Sequence, residues 1–404
     1  MWEDEGRKRK IINIILAALT VLLLAVMVYC FFIVRDKNAR EDQQLQQIYI
    51  QHQAEQTEAK KVSYDSVETE YKKDLAAVEE YMPGIVCWGD ALTTGSYGNV
   101  SFPGVLEELI EENICSKYDL RSTLDNADDI TRISASDWLK YEIEIPVYNM
   151  GGGQETVGTV MGRQGSTDFK IKESFKIPAD CSEVKISMST SEGASVNPLK
   201  LNDNGFNNVV IEGIEGKIAY TKDKWGYSCY TFTRLEPGEE TKVEAGTEFS
   251  AASAGLYADC IPVFWVGTYG GYSSANDLVR KIQQMVDYSG SERYIVLGLF
   301  TSSESTGLDS IEIAMQTAFG ESYINIRKYL ATDALSDLGL SPTSDDSKAM
   351  KNGKVPPTLL NPSDSSELSS NGYKIVAKVV YDRMESLGYF NEINEECEIK
   401  PEKN

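Results

Sequence analysis

Asp90, Asp364 and Glu367 are the side chains of this sequence best suited to acid and base work, Asp90 closing an apolar run and the other two preceding Gly372-Tyr373. Three carboxylates brought to one cleft can hold a hard cation or divide into an acid and a base. Proton transfer near neutral pH is better served by imidazole, which titrates between about pH 5 and 8. The chain has one histidine, His52, in a polar stretch far from those acids. Hydroxyls on Thr93, Thr94 and Ser96 follow Asp90 closely, but Ser and Thr in turns mostly satisfy local hydrogen bonds. Trp88, Tyr148, Tyr269 and Tyr272 fall near expected strand ends, where aromatic rings pack a rim or stack on sugars.

The elements that must position these groups read as α/β. Ile85 to Trp88, Ile261 to Val266 and Tyr294 to Phe300 are apolar runs of buried-strand type. Pro103 to Ile114, Asn276 to Tyr288, Ile311 to Leu330 and Tyr373 to Leu387 have helical spacing. Strands alternating with helices predict a parallel sheet covered on both faces. Between Ser166 and Asp259 the texture changes: Phe169 to Ile177, Glu183 to Met188, Val209 to Tyr220 and Cys229 to Leu235 favour β-branched and aromatic residues. That stretch predicts an inserted all-β domain.

Ahead of these lies an apolar run, Ile11 to Val34, broken only by Asn13 and Thr20 and long enough to span a bilayer as a helix. Arg7, Lys8, Arg9 and Lys10 precede it against Arg35, Lys37 and Arg40 after it, which favours a cytoplasmic N-terminus. No small-residue cleavage site follows, so the expectation is an uncleaved single-pass anchor in the cell membrane with the globular part extracytoplasmic. From Arg35 to about Tyr81 the chain is rich in Gln, Glu and Lys, with Val67, Tyr71, Leu75, Val78 and Tyr81 on one helical face. This reads as a helical stalk reaching on the order of 50 Å.

The 62 acidic against 39 basic residues give a formal charge of −23, which repels phosphate backbones and disfavours nucleic acid as a partner. The seven cysteines (Cys30, Cys87, Cys115, Cys181, Cys229, Cys260 and Cys397) include no C-x-x-C pair, so no metal site is implied. Cys181, Cys229 and Cys260 lie in or near the β-rich stretch, where a disulfide and free thiols are both open readings.

Four short blocks carry a resemblance. Trp88-Gly89-Asp90-Ala91-Leu92-Thr93-Thr94-Gly95 resembles the G-D-S-L-T-x-G of the SGNH (GDSL-type) hydrolases, with Ala91 at the nucleophile's place. Val147 to Thr156 is similar to N-x-G-x-x-G-x-T, with Gln154 where the family has the glycine whose N–H serves the oxyanion hole. Val266-Gly267-Thr268-Tyr269-Gly270 resembles G-T-N-x with Tyr269 for asparagine, and Asp364-Ser365-Ser366-Glu367-Leu368 resembles D-x-x-H-L with Glu367 for histidine. Gly162-Arg163-Gln164-Gly165, Tyr294 to Leu299 and Tyr381 to Gly388 fall in the family's order, so the resemblance covers roughly residues 84 to 390.

The resemblance implies a flavodoxin-like three-layer fold, in which Asp90, Asp364 and Glu367 converge with Ala91, Gln154 and Tyr269 on one cleft. Together with the apolar run and the polar stretch after it, this divides the chain into a cytoplasmic N-terminus 1–10, membrane helix 11–34, stalk 35–82, first α/β part 83–165, β-insertion 166–259, second α/β part 260–392 and tail 393–404. Alanine has no nucleophilic atom and glutamate is a far weaker base than imidazole. The expectation is therefore a pseudoenzyme without cofactor or metal, binding a cell-wall or surface polysaccharide, an acyl ester or an envelope protein. A rewired esterase using Asp364 and Glu367, and a structural scaffold, are the alternatives.

Overall fold

The computed structural model describes residues 16, 19–29, 82, 84–95, 100–116, 144–196, 208–222, 225, 228–302, 308–391 and 393. Of the expected membrane span, 16 and 19–29 are described, as exposed helix, and among the described residues no helix is long and apolar enough to cross a membrane. The N-terminus 1–10, His52, the stalk apart from Met82 and the tail apart from Ile393 lie outside the described residues. All described residues from Met82 onward belong to one compact unit.

In chain order the strands are β1 (Ile85–Gly89) and β2 (Val147–Gly151), then β3 (Phe169–Ile171), β4 (Phe175–Ile177), β5 (Val184–Ile186), β6 (Met188–Thr190) and β7 (Asn208–Ile211). There follow β8 (Ile214–Lys222), β9 (Ser228–Arg234), β10 (Thr241–Val243), β11 (Glu248–Ala251), β12 (Ile261–Trp265), β13 (Ile295–Leu297), β14 (Tyr323–Ile324), β15 (Leu360–Asn361) and β16 (Asp364–Leu368). β1 and β12 are apolar or glycine along their length and buried at every residue, as a parallel strand covered on both faces must be. Alternate side chains serve opposite faces: Ile85 and Cys87 join one apolar core, Val86 and Trp88 the other.

The parallel sheet has the order β14-β13-β12-β1-β2. Helices Phe102–Ile110 and Ser370–Ser386 contribute to the first core, and Val157–Gln164, Ala275–Ser289 and Leu308–Phe319 to the second. This is a doubly wound arrangement with three layers, and its connections diverge between β1 and β12. A cleft at such a divergence opens at the carboxyl ends of the strands.

β3 to β11 form no part of that sheet. Seven of them make an antiparallel sheet, β5-β9-β8-β7-β11-β3-β6, nearly closed into a barrel, while β4 pairs with β10. Its own apolar core contains Phe169, Ile211, Ile218, Phe232 and Phe249. The β-region is fastened to the α/β layers by side chains bonding backbone: Gln284 Nε2 donates to the Ser166 carbonyl at 2.6 Å and Ser253 Oγ to the Arg163 carbonyl at 2.8 Å. Arg280 adds a two-pronged pair to Glu192 at 2.9 and 3.0 Å.

One element differs from expectation. Ile311 to Leu330 is not a single helix but Leu308–Phe319 and Ile326–Thr332 with β14 between them. Gly320, at φ 54°, takes the left-handed conformation that ends a helix, while the apolar residues beyond it continue at helix-like spacing. The five described cysteines Cys87, Cys115, Cys181, Cys229 and Cys260 are free thiols.

Candidate functional site

Gly89 at the end of β1 stands in register with Trp265 on β12 and Gly151 on β2, so three turns leave the sheet side by side. A side chain at Gly89 would run into Thr93 Oγ1 and the Trp265 carbonyl, which is why this close approach needs glycine. Asp90 caps the short helix Ala91–Thr94, accepting from Leu92 N–H at 3.0 Å. Ala91 is the first residue of that helix, half-buried and without a reactive atom.

Asp90 is fully buried, and its Oδ2 has no hydrogen-bond partner among the described residues. Burial pushes its pKa up to about 8, against the pull of the Leu92 N–H and with a further push from the Glu155 charge. At neutral pH it is mostly a neutral acid able to donate a hydrogen bond. Thr93 Oγ1 is likewise buried without a partner, whereas Thr94 Oγ1 donates to the Asp90 carbonyl. Ser96 lies outside the described residues.

The second turn runs from Gly151 to Glu155. Gly152 N–H donates to the Gly89 carbonyl at 3.0 Å, and Asn149 ties the turn to the first one, accepting from Gly151 N–H at 3.0 Å and donating to the Thr94 carbonyl at 3.2 Å. Gln154 is exposed and has φ 54°, the left-handed region where a side chain is strained and glycine is at ease.

Behind both turns sits a fully buried ion pair. Arg163 Nε donates to Glu155 Oε2 at 2.7 Å, while its other nitrogens reach the carbonyls of Met150 at 3.0 Å and Gly89 at 3.2 Å. Its guanidinium lies 5.7 Å from the centre of the Trp88 ring, which is buried core and not a sugar-facing rim. One planar cation thus fixes the ends of β1 and β2 together. Sequence reasoning missed this pair; the available signal was an arginine in the short, otherwise uncharged helix Val157–Gln164.

The third turn, Gly267 to Gly271, carries Tyr269. Its Gly270 carbonyl accepts from Val157 N–H at 3.1 Å and its Gly271 carbonyl from buried Lys281 Nζ at 2.6 Å. Burial, then the charges of Asp90, Glu367 and Asp364, push the Tyr269 hydroxyl up to about 12. Tyr373, fully buried on the helix Ser370–Ser386, is raised by burial first and then by Glu367, with Tyr269 and Asp90 also acting on it. These shared influences bring Asp90, Tyr269 and Glu367 into one neighbourhood, joined by Tyr373, which the sequence reading places after the fourth block without a role in the site.

Asp364 and Glu367 lie on β16, in a hairpin with β15. They do not bond each other. Asp364 Oδ1 accepts from Ser366 N–H at 2.9 Å and Ser366 Oγ at 2.6 Å, bonds that lower its pKa. Glu367 Oε2 accepts from Asn361 Nδ2 at 3.1 Å instead. Of the remaining aromatics, Tyr148 stacks on Tyr257 with ring centres 4.3 Å apart and Tyr272 is half-buried. Among the described residues no group of acids, cysteines or histidines is arranged to hold a metal ion.

Among the described residues the site offers hydroxyl and carboxyl hydrogen-bonding groups around Ala91. Its class is that of a doubly wound α/β protein carrying an antiparallel β-region, with polar strand-end turns at the divergence of the sheet. No known protein family, curated protein or solved structure matches the chain.

Proposed function

We propose that this chain is a degenerate SGNH-type hydrolase that binds a cell-envelope glycan, acyl ester or envelope protein without cleaving it, held extracytoplasmically by the anchor 11–34. The carrying observation is Ala91. It occupies the first helical position after β1, where such a hydrolase needs a serine, while the frame around it is kept. Gln154 supports the same reading, because its left-handed backbone is the one a glycine of that motif would supply. The separate bonding of Asp364 and Glu367 weighs against a rewired pair built from those two acids.

The test is p-nitrophenyl acetate hydrolysis by the full-length chain, run beside Ala91→Ser with Glu367→His. Wild type is expected to match the uncatalysed rate, and the double variant to exceed it. Wild-type turnover abolished by Glu367→Gln would overturn the reading in favour of a working esterase. Retention of the wild type on an insoluble cell-wall polysaccharide, weakened severalfold by Tyr269→Ala, is the accompanying binding result.

A further inference from the structure

The connections leaving the carboxyl ends of β1, β2, β12 and β13, together with the β15–β16 hairpin, carry charge of one sign. By sequence, residues 90–101, 152–156, 267–274, 298–307 and 361–369 contain five acids and no lysine, arginine or histidine. One of the acids, Glu155, is matched by Arg163 behind it. Lys281, which reaches the third turn, is committed to the Gly271 carbonyl and to Asp277. Asp90, Asp364 and Glu367 are left to act together on Tyr269.

Each of these three acids keeps one carboxyl oxygen without a hydrogen-bond partner among the described residues. Asp364 spends Oδ1 on Ser366 and Glu367 spends Oε2 on Asn361, which leaves Asp364 Oδ2 and Glu367 Oε1. Asp364 is exposed and Glu367 half-buried, so a ligand reaches both from solvent. Asp90 Oδ2 is unpartnered although Asp90 is fully buried. Buried polar atoms in native proteins are almost always bonded, so this oxygen points to a donor from outside the chain. A metal ion would need several oxygens converging on one point, and these acids turn to separate neighbours instead. A primary ammonium asks for less, because its three N–H groups fan out to separate acceptors. The half-buried ring of Tyr269 adds an attraction for a cation. The same turns present the hydroxyls of Thr94, Thr268, Ser363 and Ser365, and among the described residues no strongly exposed large apolar side chain lies in them. That lining suits a polyhydroxylated ligand better than a peptide with apolar side chains.

We propose that the strand-end site takes a glycan carrying free primary amines, an amino sugar without its acyl group, whose ammonium meets Asp364 and Glu367 beside Tyr269 while its hydroxyls bond the turns. The proposal rests on the reading of these turns as a ligand site and narrows the ligand to a cationic glycan. N-acylation of the same sugar removes the charge and should remove the preference.

Isothermal titration calorimetry of the full-length chain in neutral detergent tests this, with a glucosamine tetramer, its fully N-acetylated counterpart and a lysine tetrapeptide. A mildly acidic buffer keeps the amines protonated, and the Ser366 bonds keep Asp364 ionised. The glucosamine tetramer is expected to bind roughly tenfold more tightly than the N-acetylated one, and to weaken as salt rises. Glu367→Gln and Asp364→Asn should each weaken the glucosamine tetramer roughly tenfold and leave the N-acetylated one unchanged. Glu236→Gln, an exposed acid of the β-region, controls for the overall charge of −23 and should change neither. Unaltered circular dichroism keeps misfolding apart from lost contact. No binding of the glucosamine tetramer, equal binding of the two sugars, or indifference to Glu367→Gln overturns the proposal. Equal or tighter binding of the lysine tetrapeptide overturns it in favour of a basic peptide. Wild-type turnover of p-nitrophenyl acetate, by contrast, strikes at the non-cleaving reading alone, and a lost amine preference strikes at this proposal alone.

Discussion

The α/β layers bury an ion pair, whereas the ion pairs within the β-region lie on its surface. In the first, Glu155, Arg163 and Asp90 are buried within a few residues of the strand-end turns. In the second, the ion pairs Lys170–Glu248, Lys176–Glu240 and Lys242–Glu244 all lie on the surface, over a core of apolar side chains. Buried charge is expensive unless paired and bonded, so where it is kept it fixes geometry. The contrast teaches that this molecule keeps its costly buried ion pair directly behind the strand-end turns that carry Asp90 and Gln154.

The sharpest way to break the contrast is Arg163→Met. It leaves Glu155 buried without its cation and frees two strand-end carbonyls, and the expected loss is about 3–5 kcal/mol, read as a lower urea midpoint. A loss below about 1 kcal/mol, the ordinary value of a surface pair, would show that the clamp is no different from the exposed ones.

Next is the pH dependence set by Asp90. Its pKa rises from 3.8 unfolded to about 8 folded, so between those values the folded chain holds a proton that the unfolded chain has released. Stability therefore falls as pH rises through that window and the penalty is complete above about 8. Asp90→Asn keeps the helix cap and should remove this slope, leaving the variant relatively more stable at pH 8 than at pH 5. Equal slopes for the two proteins would mean that Asp90 is ionised in the fold.

A smaller effect is expected at Gln154. Glycine relieves a left-handed backbone but loosens the unfolded chain, so Gln154→Gly should stabilise by up to about 1 kcal/mol; a destabilisation would mean that the side chain has contacts of its own. Smallest is Lys176→Ala at an exposed pair of the β-region, expected to shift the melting temperature by less than about 1 kcal/mol can. A larger shift would erase the distinction between the regions.

Much of the architecture was legible because burial on both faces writes itself as uninterrupted apolar runs. Ile85 to Trp88 and Ile261 to Val266 became the central strands, and Asn276 to Tyr288 lies within the helix Ala275–Ser289. Period failed where the backbone changed but the spacing did not, as beyond Gly320. At the site, the motif positions named Asp90, Tyr269 and Glu367, and the fold brings both acids to act on the Tyr269 hydroxyl. The Arg163–Glu155 clamp and the place of Tyr373 in the site were not legible, because a buried charge or a buried hydroxyl leaves no periodic trace. Nor could spacing show that Asp364 turns to Ser366 and Glu367 to Asn361.

Arg280 and Lys281 are neighbours on one helix, yet they hold different parts of the molecule. The first grips Glu192 in the β-region, the second the Gly271 carbonyl beside Tyr269, and Asp277 pairs with both, at 3.1 and 3.4 Å. In mechanical terms the helix Ala275–Ser289 is a crossbar with a hook on each side. The β-region and the turn that carries Tyr269 are thus tied to adjacent residues of a single helix.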